Sequence, residues 1–202
     1  NDAEVHLLGL FISRTAALAE RLHALRVQRV DRMRIMLSKL EAVGIHITLE
    51  EVRVEAGDHT LGRPHLARLL QRKGFVSTIG EAFQRFLGNS GSAYVPKQKL
   101  DVSEGVALIR EAGGAAVLAH PGSHSAYDIL PPEAFNLLDG LEVYHPDHGL
   151  EKEHFLLAES KRLGLVATGG SDFHGHGLHG QKLGQPSVSC SVLDELRGRA
   201  AA

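Results

Sequence analysis

The sequence predicts an α/β protein in which a parallel sheet is interrupted by a long helical block. Three observations predict it. After Pro96, apolar runs of four to six residues alternate with helical stretches, which is the grammar of a parallel sheet. Residues 14–90 carry apolar positions at helical spacing and almost no strand signal. The 202 residues are 43% apolar and 23% charged, an ordinary globular composition suited to one large domain or to one with a small inserted subdomain.

Val5-His6-Leu7-Leu8-Gly9-Leu10-Phe11-Ile12 is a near-continuous apolar run, the mark of a strand covered on both faces, so residues 5–12 read as a central strand. From Arg14 to Val43, Leu18, Leu22, Leu25, Val30, Met33, Leu37 and Leu40 recur at three- to five-residue spacing, giving an amphipathic helix or a broken pair of helices ended by Gly44. Thr48-Leu-Glu-Glu51 is a capping box for a short helix that stops at Gly57. Pro64 to Lys73 fits a helix with Gly74 at its stop, and Thr78-Ile-Gly-Glu81 is a second box for a helix that stops at Gly88. Asp101 to Ala112 then reads as a helix closed by Gly113-Gly114. Strands at 115–119, 141–144 and 165–168 alternate with helices at 132–138 and 149–163, and Val188 to Cys190 reads as a last short strand before a helix at 191–199. These are about five strands, whereas a closed parallel barrel needs about eight. Either the sheet is open or further strands lie before Asn1, and the absence of an initiator methionine favours the second.

Lys plus Arg number 22 and Asp plus Glu 24, so the net charge of −2 argues against a broad basic face for coating nucleic acid. No apolar run approaches the roughly 20 residues of a membrane span, and no signal peptide opens the chain. Cys190 is the only cysteine, which excludes an intramolecular disulfide and fits a reducing, cytoplasmic setting.

Histidine is the departure. There are 13, and eight of them (His120, His124, His145, His148, His154, His174, His176 and His179) lie between 120 and 179. Functional groups of parallel α/β folds sit just past the carboxyl ends of the strands. His120 ends Val117-Leu-Ala-His-Pro-Gly122, His145 and His148 follow Leu141-Glu-Val-Tyr144, and Asp172 and His174 follow Leu165-Val-Ala-Thr168. Any one of these histidines alone is more simply a polar loop residue. Three strand ends bearing imidazole, one with a carboxylate two residues away, suit Zn, Mn or Fe better than Mg, which prefers oxygen alone.

Five motifs in order, Val5-His6-Leu-Leu-Gly9, Gly62-Arg63-Pro64-His65, Leu118-Ala-His120-Pro-Gly122, Leu141-Glu-Val-Tyr-His145 and Gly170-Ser-Asp172-Phe-His174-Gly175, resemble the PHP family of metal-dependent phosphoesterases. The subgroup of nucleoside 3′,5′-bisphosphate phosphatases and 5′-to-3′ exoribonucleases is the most similar. The resemblance implies a distorted (β/α)7 barrel, here lacking its first strands, with residues 1–13 a barrel strand, 14–96 an inserted helical subdomain and 97–202 the remaining β/α units. It implies that His6, His120, Asp172 and His174 are ligands of two or three divalent ions (Mn, Zn or Fe), with Asp172 and His174 catalytic. By the same resemblance Arg63 and His65 grip a substrate phosphate, and a metal-activated hydroxide attacks phosphorus. Read without the family, Gly-Arg-Pro-His is a helix start with Pro64 near its first position, itself a favourable place for phosphate.

The family's early motifs, beginning with a His-x-His, have no counterpart here, and a molecule made of this chain alone is expected to hold metal poorly. His145 and His148, a His-x-x-His pair, either touch substrate or are solvated loop residues. His124, His176 and His179 could close over substrate, while His23, His46, His59 and His154 read as surface or helix residues. Lys97 and Lys99 could steer a polyanion, and Tyr94, Tyr127 and Phe173 either stack on a base or pack. The expected partner is a small phosphorylated nucleotide or short oligonucleotide, with no membrane. Two alternatives stay open: a metal-dependent amidohydrolase on a similar barrel, and a binding remnant with impaired catalysis.

Overall fold

The computed structural model describes residues 5–123, 126–173 and 182–200. The backbone forms two compact units, Asn1–Leu18 with Leu100–Ala202, and Ala19–Lys99. The strands are β1 (Leu7–Leu10), β2 (Ala115–Leu118), β3 (Gly140–Tyr144) and β4 (Val166–Gly169). The helices are α1 (Ala16–Glu41), α2 (Leu49–Ala56), α3 (Arg63–Arg72), α4 (Ile79–Ala82), α5 (Val102–Glu111), α6 (Ala126–Ile129), α7 (Leu150–Leu163) and α8 (Ser191–Ala200).

In the first unit the strands form one sheet in the order β1-β2-β3-β4. β2, β3 and β4 run parallel, with Leu118 beside Leu141 and Leu141 beside Ala167. Every residue of β2 is buried, as are the first four of β3, which is why both read as unbroken apolar runs. Leu118, Leu141, Val143, Phe135 and Leu156 share the main core on one side of this sheet. Asp139 is buried at the start of β3 because its carboxylate accepts the Ala116 N–H at 2.8 Å and lies 3.5 Å from Arg110.

β1 departs from expectation. It is not a central parallel strand: it sits at the edge of the described sheet and pairs antiparallel with β2, Leu7 opposite Leu118 and Leu10 opposite Ala115. Connection length fixes strand direction only when it is short, since a tight turn permits antiparallel pairing alone and a long connection permits either sense. The whole helical unit intervenes between β1 and β2, so the chain is free to return in either sense. The strand is also shorter than the apolar run, and Leu8 is exposed. Val188 to Cys190 is loop rather than strand, and residues 132–137 form a 3₁₀ helix.

In the second unit α1 is one unbroken helix rather than a pair. Its Met33, Met36, Leu37 and Leu40 pack with Val52, Leu66, Leu69, Leu70 and Leu87 into a separate core. The capping box of α2 is complete: Thr48 accepts the Glu51 N–H at 3.2 Å and donates its own N–H to Glu51 at 2.7 Å. At α4, Thr78 accepts the Glu81 N–H, but the Glu81 carboxylate turns back to the Ser77 N–H, and the helix widens into a π turn at Phe83–Leu87. No helix among the described residues is long and apolar enough to cross a membrane.

Candidate active site

The carboxyl ends of β2, β3 and β4 and the amino end of β1 lie at one rim of the sheet. The reversal of β1 is what brings His6 there, because in a parallel strand its position before Leu7 would put it at the far end. His6 C=O instead accepts the Ala119 N–H at 3.0 Å, and His6 Nδ1 lies 3.0 Å from His120 Nε2. The two rings meet edge to face with centroids 4.9 Å apart. Burial, reinforced by His6, holds the pKa of His120 below the usual histidine value.

His145 is buried behind this pair, its ring 5.5 Å from that of His120. Its Nδ1 accepts the Asp147 N–H at 3.1 Å, which leaves the proton on Nε2. That atom lies 3.6 Å from Asp172 Oδ2, an electrostatic contact too long for a hydrogen bond. Asp172 itself has φ of 45° and His120 has φ of 29°, both left-handed values that non-glycine residues rarely hold and that occur preferentially at functional turns. Thus the structure brings together His6, His120, His145 and Asp172. His174, and with it His124, His176 and His179, lies outside the described residues.

His148 is placed differently from either reading of the His-x-x-His pair. It is buried, with Nε2 accepting the Gly122 N–H at 3.1 Å and Nδ1 donating to Val143 C=O at 2.8 Å. Both ring nitrogens serve the backbone, so the imidazole ties the loop after β2 to the end of β3, and burial lowers its pKa. The loop is shaped to receive it, since a Cβ on Gly122 would fall 2.7 Å from His148 Nε2.

Glu142 escaped the sequence reading. It is buried in β3 and accepts the His120 backbone N–H at 2.7 Å, orienting that residue, and burial raises its pKa. The available signal was a lone carboxylate inside an otherwise apolar strand. Gly169 closes the opposite side of the rim: a Cβ there would lie 2.7 Å from Tyr144 C=O, which instead accepts the Gly170 N–H at 3.0 Å.

Arg63 and His65 lie in the second unit at the start of α3, where His65 Nδ1 accepts the Gly62 N–H at 3.1 Å. Arg63 donates to Leu87 C=O at 3.2 Å, with its guanidinium carbon 5.8 Å from the Phe83 ring centroid and 5.7 Å from that of Tyr94. Aromatic faces hold a guanidinium in a fixed plane.

Among the described residues no group of three or more His, Cys, Asp or Glu side chains is placed to hold a metal ion. One pair of donors, His6 and His120, fits a divalent cation in kind and spacing. Two nitrogens bound to one tetrahedral ion at roughly 2.0–2.1 Å stand about 3.3 Å apart, and His6 Nδ1 and His120 Nε2 stand 3.0 Å apart. His120 Nδ1 and His145 Nε2 are buried without a hydrogen-bond partner among the described residues.

No protein-family model matches the chain. A 3′,5′-nucleoside bisphosphate phosphatase of Chromobacterium violaceum is 33% identical over 208 residues, spanning 96% of this chain and 72% of the relative. A phosphoribosyl 1,2-cyclic phosphate 1,2-diphosphodiesterase of Eggerthella lenta is 36% identical over 85% of this chain and 67% of its own length. A 5′-3′ exoribonuclease of Escherichia coli is 30% identical over 85% of this chain and 60% of its own length. Among solved structures, one from Bifidobacterium adolescentis described as a metal-dependent phosphoesterase aligns with a TM-score of 0.69 and 30% identity, over 98% of this chain and 72% of that one.

Proposed function

The chain belongs to the PHP family of metal-dependent phosphoesterases, and from that premise we propose that it hydrolyses a phosphate ester of a small nucleotide, such as a nucleoside 3′,5′-bisphosphate, or the 5′ end of a short RNA. The observation that carries this reading is the convergence of His6, His120, His145 and Asp172 on one rim, with the two closest imidazole nitrogens 3.0 Å apart. His6, His120 and Asp172, with His174, would hold the two or three divalent ions (Mn, Zn or Fe) that the family motif implies. Such an ion supplies Lewis acidity, lowering the pKa of water and drawing charge from a phosphoryl group.

The chain's own residues do the rest. Glu142 orients the His120 backbone. His145 turns its Nε2 toward Asp172, 3.6 Å away, and His148 positions the loop that carries His120. Arg63 and His65 are assigned to phosphate recognition on the motif's resemblance: the guanidinium offers a planar fork to two phosphate oxygens, and His65 a hydrogen bond or a proton. We read the four strands as part of a distorted (β/α)7 barrel, with residues 1–13 one barrel strand, 14–96 an inserted helical subdomain and 97–202 the remaining β/α units. The single cysteine accords with work in the cytoplasm.

The test is phosphate release from adenosine 3′,5′-bisphosphate, and nucleotide release from a 5′-phosphorylated oligoribonucleotide, by Mn-loaded protein. Turnover of either substrate, abolished by chelator and reduced at least a hundredfold in Asp172→Asn and His120→Ala, is the expected result. Full activity in those variants, or turnover of an amide in place of the ester, would overturn the proposal.

A further inference from the structure

The opposite end of the sheet holds a cavity of about 850 Å³, formed where the chain leaves β1 and enters β2 and β3. Four arginines line it: Arg14 after β1, Arg110 at the end of α5, and Arg197 and Arg199 at the end of α8. Asp139 is the one carboxylate among the described lining residues.

The contacts of these arginines hold them in place without consuming them. Arg14 Nε donates to Glu111 C=O at 2.9 Å, and Arg110 Nη2 to Leu137 C=O at 2.9 Å and toward Asp139 at 3.5 Å. Arg199 Nη2 donates to Gly164 C=O at 2.8 Å and Arg197 Nη1 to Asp194 at 3.3 Å. A guanidinium carries five donors, and these contacts engage a single nitrogen of each. The carboxylates that face Arg197 and Arg199, Asp194 and Glu195, are exposed and outside the lining, where water screens them. Basic residues in a last helical turn commonly offset the helix dipole. That accounts for Arg110, Arg197 and Arg199 one by one, but not for their meeting Arg14 around one cavity. Phe11, also in the lining, has φ of 60°, a conformation bulky residues rarely hold, with the Arg197 guanidinium carbon 5.1 Å from its ring centroid.

We propose that this cavity binds a small polyphosphate anion carrying two or more phosphoryl groups. Guanidinium groups are suited to bidentate phosphate contacts, and four of them around a volume far larger than one phosphate match a chain of such groups better than a single one. The site stands independently of the phosphoesterase reading, since it shares none of the residues assigned there.

Isothermal titration of chelator-treated protein with inorganic tripolyphosphate tests it. Binding that weakens at least tenfold in Arg14→Gln and in Arg197→Gln, and stays unchanged in Arg34→Gln, supports the site. The Arg197 side chain is largely exposed, so that variant keeps the test decisive should Arg14→Gln fail to fold. Absence of binding by the wild type, unweakened binding in Arg197→Gln, or equal weakening in Arg34→Gln overturns it, the last because only non-specific charge would then be at work.

Discussion

Replacing His148 by leucine removes a ring whose two nitrogens both serve the backbone, while keeping a side chain of similar bulk. Val143 C=O loses its 2.8 Å donor at a buried position, and the half-buried Gly122 N–H loses its 3.1 Å acceptor. A buried polar group left unpaired costs about 1–3 kcal/mol, less where water can reach it. The expected destabilisation is therefore about 3 kcal/mol, or roughly 6–12 °C in Tm for a chain of this size. Two isosteres divide the effect. Asparagine places an amide near Nδ1 and restores the donor to Val143, so His148→Asn should cost about 1 kcal/mol. Glutamine reaches toward Nε2 and restores the acceptor for Gly122, so His148→Gln should cost about 2 kcal/mol because the more buried group stays unpaired. Urea denaturation of the three variants measures the series. A loss below about 1 kcal/mol for His148→Leu, or a rise in KM for the phosphate ester with stability intact, would refute the reasoning and return His148 to the substrate.

Two further outcomes follow from the same loop. Gly122→Ala puts a methyl group 2.7 Å from His148 Nε2 and 2.8 Å from Lys152 Cγ, and overpacking of this kind should cost about 1–3 kcal/mol; denaturation midpoints equal to wild type would contradict it. Burial keeps the His148 pKa below its unfolded value near 6.5. The folded state therefore binds this proton less readily than the unfolded one. The stability tied to His148 is fully present above about pH 6.5 and is lost as the pH falls from there through the lowered folded value. Thermal unfolding between pH 7.5 and 5.5 should show a decline in wild type that is shallower in His148→Gln; equal slopes would assign the decline elsewhere.

The parts of the fold that could be read in advance are those where burial leaves a periodic trace. β2 and β3 lie inside the first unit and need apolar residues on both faces, β4 buries alternate residues, and the capping residues of α2 satisfy amides that any helix start leaves open. The direction of β1 left no such trace, because an apolar run records that side chains avoid water and not which neighbour covers them. The three-residue stretch at Val188 was too short for periodicity to separate strand from loop. At the rim, His120 and Asp172 could be anticipated from the rule that strand ends carry function. The meeting of His6 with His120 depends on the reversal of β1, and the fate of His148 depends on which backbone groups face its ring. Glu142 stood in plain view in Leu141-Glu-Val-Tyr144, yet its use requires knowing that the His120 amide lies across the strand from it.

The most direct measurement is a Mn²⁺ titration of chelator-stripped protein, free Mn²⁺ followed by electron paramagnetic resonance, for wild type, His120→Ala and Asp172→Asn. Wild type should take up Mn²⁺ weakly, with affinity at least tenfold weaker still in each variant and phosphate release rising in step with occupancy. Uptake that is the same in all three proteins would contradict the placement of the metal at this rim.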